Sequence, residues 1–286
     1  MKKNIFYLED VVKGLKKIGT ETVDILIIDP PYNIGNQFNG SLPIDKYVAW
    51  CTTWLDECVR VMKPTGSMFI YGFSETLAFI SVNLTLKKRW LIWHYKNKAV
   101  PSYKSGFQRS HESIIYAWKD NPIFNVDDVR IDYSKEFLAQ VGRRRTPSET
   151  ARYGNSSETF YKANEFGALP RDVFTDVSAL AGGAGRKERY FLLDGKFYYP
   201  KDIKSLSTKD KKRVIKHPSQ KPMKLTERLL LASKPKKGGL VVIPFAGSGS
   251  EGVVCRKLDL DFIGFDIDPK FIFMSNFAVQ NYKKLI

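Results

Sequence analysis

Leu240-Val241-Val242-Ile243-Pro244-Phe245-Ala246-Gly247-Ser248-Gly249-Ser250-Glu251-Gly252 is the stretch that decides the fold. A short β-branched apolar run of strand length gives way to a glycine loop. A helix from Gly249 to Leu258 then opens. A loop in that position turns backbone N–H groups toward a ligand and lets it approach closely over the glycines. The next strand, Phe262 to Phe265, ends at Asp266. A carboxylate there can accept hydrogen bonds from both ribose hydroxyls of an adenosine cofactor. Gly247-x-Gly249-x-x-Gly252 also spells the dinucleotide fingerprint, and a tight strand–helix turn without a ligand would look alike.

Outward from that loop, Met223 to Ser233 reads as the preceding helix and Pro269 to Tyr282 as the closing one. Far upstream, Val23-Asp24-Ile25-Leu26-Ile27-Ile28 is another buried-strand pattern, and it stops at Asp29-Pro30-Pro31-Tyr32-Asn33. Two prolines cannot continue a sheet ladder, so they fix a rigid turn at the strand's C-terminal edge. A carboxylate, a proline-fixed carbonyl and an aromatic ring are held there together. The set suits a flat heterocycle with an exocyclic NH2: Tyr32 stacks, while Asp29 and the Pro30 carbonyl accept the two N–H bonds. An ordinary Asp-Pro turn with a surface tyrosine is the plain alternative.

Between these two stretches, helical spacing over Ile44 to Met62 puts Cys51 and Cys58 on one core face. Strands follow at Ser67–Tyr71, Trp90–Tyr95 and Glu112–Trp118, with a helix over Ser74–Lys87. Strands separated by helices predict a mostly parallel α/β sheet. From about residue 125 to 216 the periodicity fades, charge clusters at Arg143-Arg144-Arg145 and Lys209–Arg213, and Ala181-Gly182-Gly183-Ala184-Gly185 forms a turn.

Composition narrows the class. Hydrophobic residues at 43% and charged residues at 27% exclude disorder and fibrous repeats. No apolar run approaches the roughly 20 residues of a membrane helix. The run Ile5 to Leu8 stops at Glu9-Asp10, too short for a signal-peptide core. Three cysteines make no disulfide framework, so a reducing cytoplasm is the expected compartment, and three scattered histidines suggest no metal cluster. The net charge of +16 favours a polyanionic partner, nucleic acid first. Lys87, Lys88, Arg89, Lys96, Lys98, Lys104 and Arg109 have no acidic residue among them, and Tyr103 and Phe107 are interleaved. That pattern reads as a DNA-binding loop along a phosphate backbone, against a merely solvated basic face.

Asp29-Pro30-Pro31-Tyr32 near one end, Phe245-x-Gly247-x-Gly249 near the other and an irregular basic segment between them resemble the DNA amino-methyltransferases of the β class. Smaller matches are Gly66-Ser67-Met68-Phe69-Ile70, His111-Glu112-Ser113-Ile114 and His217-Pro218-Ser219-Gln220-Lys221-Pro222. The resemblance covers roughly residues 5–120 and 215–284. It implies a Rossmann-like, S-adenosylmethionine-dependent methyltransferase sheet, circularly permuted, with an inserted target-recognition region. Residues 1–124 would then be the catalytic half, 125–216 the recognition region and 217–286 the cofactor half. Asp-Pro-Pro-Tyr, rather than Ser-Pro-Pro-Tyr, looks like the adenine-N6 version.

By that resemblance the catalytic set is Asp29, Pro30, Pro31 and Tyr32, acting on a flipped-out base. The cofactor set is Asp29, Lys221, Phe245, Gly247, Ser248, Gly249 and Asp266, with Phe245 beside the adenine and Lys221 near the methionine end. The family's usual Asp before Pro-Phe-x-Gly is Ile243 here. Double-stranded DNA is the implied substrate, with room for a homodimer and for a cognate restriction endonuclease acting on the same site. Cytosine-C5 chemistry needs a nucleophilic cysteine, by resemblance after a proline, and none of Cys51, Cys58 and Cys255 follows one. Cytosine-N4, RNA or protein-amide methylation, an NAD-dependent dehydrogenase and a non-enzymatic DNA-binding module are the rivals.

Overall fold

A strand buried at every position, as Val23–Ile28 is, needs partners on both edges and cover on both faces. The computed structural model, which describes residues 1–35, 41–95, 104, 106–145, 159–180 and 186–286, supplies both. An eight-stranded sheet comprises β1 (Ile5–Leu8), β2 (Val23–Ile28), β3 (Met62–Gly72), β4 (Lys87–His94), β5 (His111–Trp118), β6 (Val173–Phe174), β7 (Leu240–Ile243) and β8 (Asp261–Asp266). The spatial order is β1-β8-β7-β2-β3-β5-β4-β6, parallel except for β5, which runs antiparallel to β3 and β4. The strands from the C-terminal end of the chain thus sit between β1 and β2.

Helices α1 (Val11–Lys16), α2 (Ile44–Val61) and α3 (Ser74–Asn83) cover one face of the sheet, packing on Leu26, Ile28 and Val242. Helices α4 (Met223–Ser233), α5 (Ser250–Lys257) and α6 (Pro269–Gln280) cover the other face, packing on Ile25, Ile27 and Val241. Alternate residues of one strand therefore feed two cores, as the period of two requires.

Several elements depart from the sequence expectation. Ile5–Leu8 is an edge strand pairing in parallel with β8, and Asp10 caps α1 by accepting from the Val12 and Lys13 amides. Six residues of α1 are too few for periodicity to register. Helix α3 ends at Asn83 instead of Lys87, because Lys87–Arg89 are taken into the β4–β5 ladder. Asn125–Arg171 forms a compact unit of its own, while Asp172–Ile286 gathers with Met1–Phe124. The segment 125–216 is therefore divided in its packing. β6 pairs with β4, the Trp93 indole donates to the Val177 carbonyl at 2.9 Å, and the Tyr190 hydroxyl donates to the Ser248 carbonyl at 2.8 Å. Within the smaller unit, Tyr133 stacks on Phe137 at 4.5 Å and Arg130 donates to the Gly167 carbonyl at 2.9 Å. The glycine turn at 181–185 lies outside the described residues.

Candidate active site

All parallel strands of an α/β sheet end on one side, and ligands bind where those C-terminal ends open a crevice. Here Asp29 follows β2, the 244–249 loop follows β7 and Asp266 ends β8. Glu112, at the start of antiparallel β5, reaches the same edge. Asp29, Glu112, Asp266 and residues 244–248 line one cavity of about 370 Å³. The two motifs that lie more than two hundred positions apart in sequence thus meet across β2 and β7.

The Asp29 wall is a network of buried side chains. Lys221 Nζ lies 2.8 Å from Asp29 Oδ1, 2.9 Å from Oδ2 and 3.5 Å from Glu112 Oε2. Its ammonium also faces the Tyr32 and Tyr71 rings, at 5.1 and 5.4 Å from their centroids. Burial alone would discharge this lysine, but Asp29 and Glu112 outweigh that and hold it above the usual ammonium range. Tyr32 donates to Asp29 Oδ1 at 2.8 Å and lies 3.1 Å from Glu112 Oε2. Burial first, and then those two carboxylates, push its phenol well above the usual value. Its ring meets Phe73 edge-on at 5.0 Å. Tyr47 of α2 donates to the Pro31 carbonyl at 2.7 Å and fixes the turn. Asn33, with φ 58°, clasps Leu42 through both its amide N–H and its carbonyl, closing a loop whose residues 36–40 lie outside the described ones.

The opposite wall is mostly backbone. Asp266 accepts from the Gly247 and Asp268 amides, each at 2.9 Å, while burial raises its carboxyl above the ordinary range. Gly247 and Gly249 have φ of +49° and +83°, which side chains rarely adopt. A Cβ on Gly249 would stand 2.6 Å from the Ser275 backbone, and one on Gly247 would stand 2.9 Å from the His217 ring. His217 lines the cavity as a neutral imidazole, its pKa depressed to about 3 by burial and by Lys221 and Arg189. Phe245 packs on Trp50 and Trp54 of α2, at 5.9 and 5.6 Å.

Ile243 is fully enclosed in the sheet. The carboxylate that sequence reasoning missed is Glu251, in the first turn of α5. It is 4% exposed and lines the cavity. Burial, and next the charge of Asp29, raise its pKa to about 7. A glutamate among small residues just after the glycine loop was the available signal for it. Glu112 lies within His111-Glu112-Ser113-Ile114, whose resemblance to the family implies no role for it.

The described residues of the basic stretch are not brought together at the cavity. Lys87, Lys88 and Arg89 begin β4, level with Trp118, Ala117 and Tyr116 at the end of β5. They sit at the edge of the sheet opposite Asp29. Arg109 does come close: it lies 3.8 Å over the cavity-lining Phe73 and is held by Glu75 at 2.9 and 3.0 Å. Lys104 is exposed, and Lys96, Lys98 and Tyr103 lie outside the described residues. The three cysteines are buried, Cys51 with its thiol pushed up to about 12 by burial. Among the described residues, no group of three or more His, Cys, Asp or Glu side chains could hold a metal ion, and no helix is long and apolar enough to cross a membrane.

A mixed α/β sheet with a glycine loop and a buried carboxylate on one wall and an Asp-Pro-Pro-Tyr turn on the other is the arrangement that the resemblance to the amino-methyltransferases implies. Residues 23–277 match the N6/N4 methyltransferase family, described as DNA methylase, and the chain belongs to that family. It is 30% identical over 274 residues to the DNA adenine methyltransferase YhdJ of Escherichia coli (strain K12), covering 93% of this chain and 79% of the relative. It is 27% identical to the type II methyltransferase M.HpaI of Haemophilus parainfluenzae, covering 93% of this chain and 71% of that one. The fold is similar to that of the cytosine-N4-specific PvuII DNA methyltransferase, with a TM-score of 0.63 at 15% identity over 98% of this chain and 90% of that one. It is also similar to that of M1.HpyAVI in complex with S-adenosylmethionine, with a TM-score of 0.55 at 17% identity over 97% and 98%. The family's methyl donor is S-adenosylmethionine. The cavity has room for such a group beside Asp266 and residues 244–248, where Gly247 takes a φ of +49° that side chains rarely adopt.

Proposed function

We propose that this DNA methyltransferase acts on the N6 amine of adenine in a flipped-out base of a defined duplex sequence. The observation that carries the reading is the Asp29 carboxylate. It is gripped by Lys221 and Tyr32 at the cavity wall with acceptor capacity to spare on Oδ2. The adenine amino lone pair is delocalised into the ring and is a poor nucleophile. Hydrogen bonds from that NH2 to Asp29 and the Pro30 carbonyl favour a pyramidal nitrogen with its lone pair localised. S-adenosylmethionine supplies an electrophilic methyl group.

Asp29 orients the amine, and Lys221, paired with both of its carboxylate oxygens, fixes it in rotamer. Tyr32 and Phe73 offer aromatic surface against the base, and Asp266, Phe245 and the 247–249 loop hold the donor. Placement and preorganised charge supply most of the rate in such a scheme. Naming of a relative as an adenine methyltransferase, together with Asp-Pro-Pro-Tyr, favours adenine over cytosine N4. Type II relatives support a cognate restriction endonuclease that reads the same sequence. Of the basic stretch, Arg109 lies over the cavity-lining Phe73. Digestion of duplex DNA after incubation with labelled donor, followed by mass analysis of the nucleosides, tests the reading. N6-methyladenine is expected, and N4-methylcytosine alone would overturn the base assignment.

A further inference from the structure

Three oxygens stand in a row on the cavity wall. Asp29 Oδ1 is 2.8 Å from Tyr32 Oη, and Tyr32 Oη is 3.1 Å from Glu112 Oε2. Both separations are hydrogen-bond distances. A phenol has one hydrogen to give, and two ionised carboxylates have none. One of the two contacts therefore lacks a hydrogen, and the row has a place for one more proton. Lys221 touches both acids but unequally, at 2.8 and 2.9 Å on Asp29 and 3.5 Å on Glu112. The ammonium therefore pairs closely with Asp29 and only loosely with Glu112. Glu112 is thus the end of the row less engaged by the cation.

We infer that Asp29, Tyr32 and Glu112 form a proton relay, with Glu112 as the terminal acceptor of the proton released when the target amine is methylated. The inference rests on the amino-methylation proposed above. In that reaction the amine nitrogen forms its new bond to the methyl carbon with its own lone pair. The methyl–sulfur bond breaks with its electrons left on sulfur, and the nitrogen is left with one hydrogen in excess. That proton passes to Asp29. The Tyr32 hydroxyl turns toward Glu112, gives up its hydrogen and takes the one on Asp29. Asp29 is a carboxylate again, Tyr32 is unchanged, and Glu112 is a neutral acid.

The high affinity of the Tyr32 phenol for its proton suits this part, since the hydroxyl hands one proton on as it receives another and never stands as phenolate. Tyr71 and Tyr95, from the ends of β3 and β4, also feel the charge of Glu112, and burial first keeps both phenols protonated.

Glu112→Gln keeps the shape and a hydrogen-bonding group but cannot take the proton. In single-turnover reactions with labelled donor and a cognate duplex, the variant should lose rate by about 100-fold. Its calorimetric affinities for donor and DNA should stay within about twofold of wild type, a split that a merely structural role would not give. Glu112→Asp, which remains an acid, should retain more of the rate than Glu112→Gln. Tyr32→Phe interrupts the same path, so adding it to Glu112→Gln should slow the reaction little further. Infrared difference spectra of a single turnover should show a protonated carboxyl band in wild type that Glu112→Gln lacks. Wild-type rate in Glu112→Gln, or a band that survives the substitution, would overturn the relay and leave the methyltransferase reading standing. A wild-type protein that puts no label on a DNA amine would overturn that reading and the relay with it.

Discussion

Around Asp29 the cavity wall consists of side chains that satisfy one another, and around Asp266 it consists of backbone. On the first wall Lys221, Asp29, Glu112 and the Tyr32 hydroxyl are each other's partners at 2.8 to 3.5 Å. On the second, the Asp266 carboxylate is met by two main-chain amides, and the loop is shaped by glycines with positive φ. Main-chain groups hold their geometry whatever the pH. A set of mutually paired buried charges changes whenever one member gains or loses a proton. The first wall is therefore suited to chemistry and the second to binding, and substitutions should separate the two.

The largest effect belongs to the first wall. Asp29→Asn keeps a carbonyl acceptor but discharges the group, and methyl transfer in a single turnover should fall by about 10³-fold with donor affinity little changed. Asp29→Ala should also unfold at a lower temperature. It leaves the buried Lys221 with Glu112 alone, and breaking a buried pair costs on the order of 3 kcal/mol. Equal activity of Asp29→Asn and wild type would erase the distinction between the walls.

Glu251 lies where the walls meet and tests it by pH. Its folded-state pKa of about 7, raised by burial and then by Asp29, exceeds the ordinary 4.5. The folded chain thus keeps a proton that the unfolded chain gives up. This stabilising contribution is complete below 4.5 and is lost as pH rises through 7. Glu251→Gln is neutral throughout, so its stability relative to wild type should grow between pH 4.5 and 8, by on the order of 3 kcal/mol at most. Denaturation midpoints that shift equally at both ends of that range would show Glu251 to be ordinary. On the second wall, Asp266→Ala should weaken donor binding by about tenfold, read by calorimetry, without a comparable loss of rate at saturating donor.

How legible each wall was in the sequence follows from the same contrast. The backbone wall is written locally: strand, glycines, helix and Asp266 fall within 27 consecutive positions, 240–266. Asp29-Pro30-Pro31-Tyr32 was equally local. Its partners were not. Lys221 is 192 residues from Asp29 and Glu112 is 80 residues from Tyr32, so only the sheet order brings them together. Glu251 was hidden because no periodicity distinguishes a buried acid from a solvated one in the first turn of a helix. The central strands were read closely, since β-branched runs between turns are unambiguous, whereas β1 and α1 were too short to declare themselves.

The smallest expected effect concerns the basic stretch, which tests whether chemistry and binding share one edge of the sheet. Lys87 and Lys88 are separated from His94 by the length of β4, about 23 Å at the usual strand rise. His94 is level with His111 at the cavity end, so these lysines face away from the site. A duplex docked over the cavity with one base extruded would leave them near its margin or beyond it. Lys87→Ala combined with Lys88→Ala should therefore leave the slope of log affinity against log salt unchanged. Each lost phosphate contact would lower that slope by about 0.9. Stability should move by less than about 0.5 kcal/mol, since both residues are exposed and the Lys88 ammonium donates only to the Leu84 carbonyl of a loop. A slope reduced by about 1.8 would mean that both lysines neutralise phosphates. The duplex would then have to wrap past the far edge of the sheet, and binding could no longer be assigned to the cavity side alone.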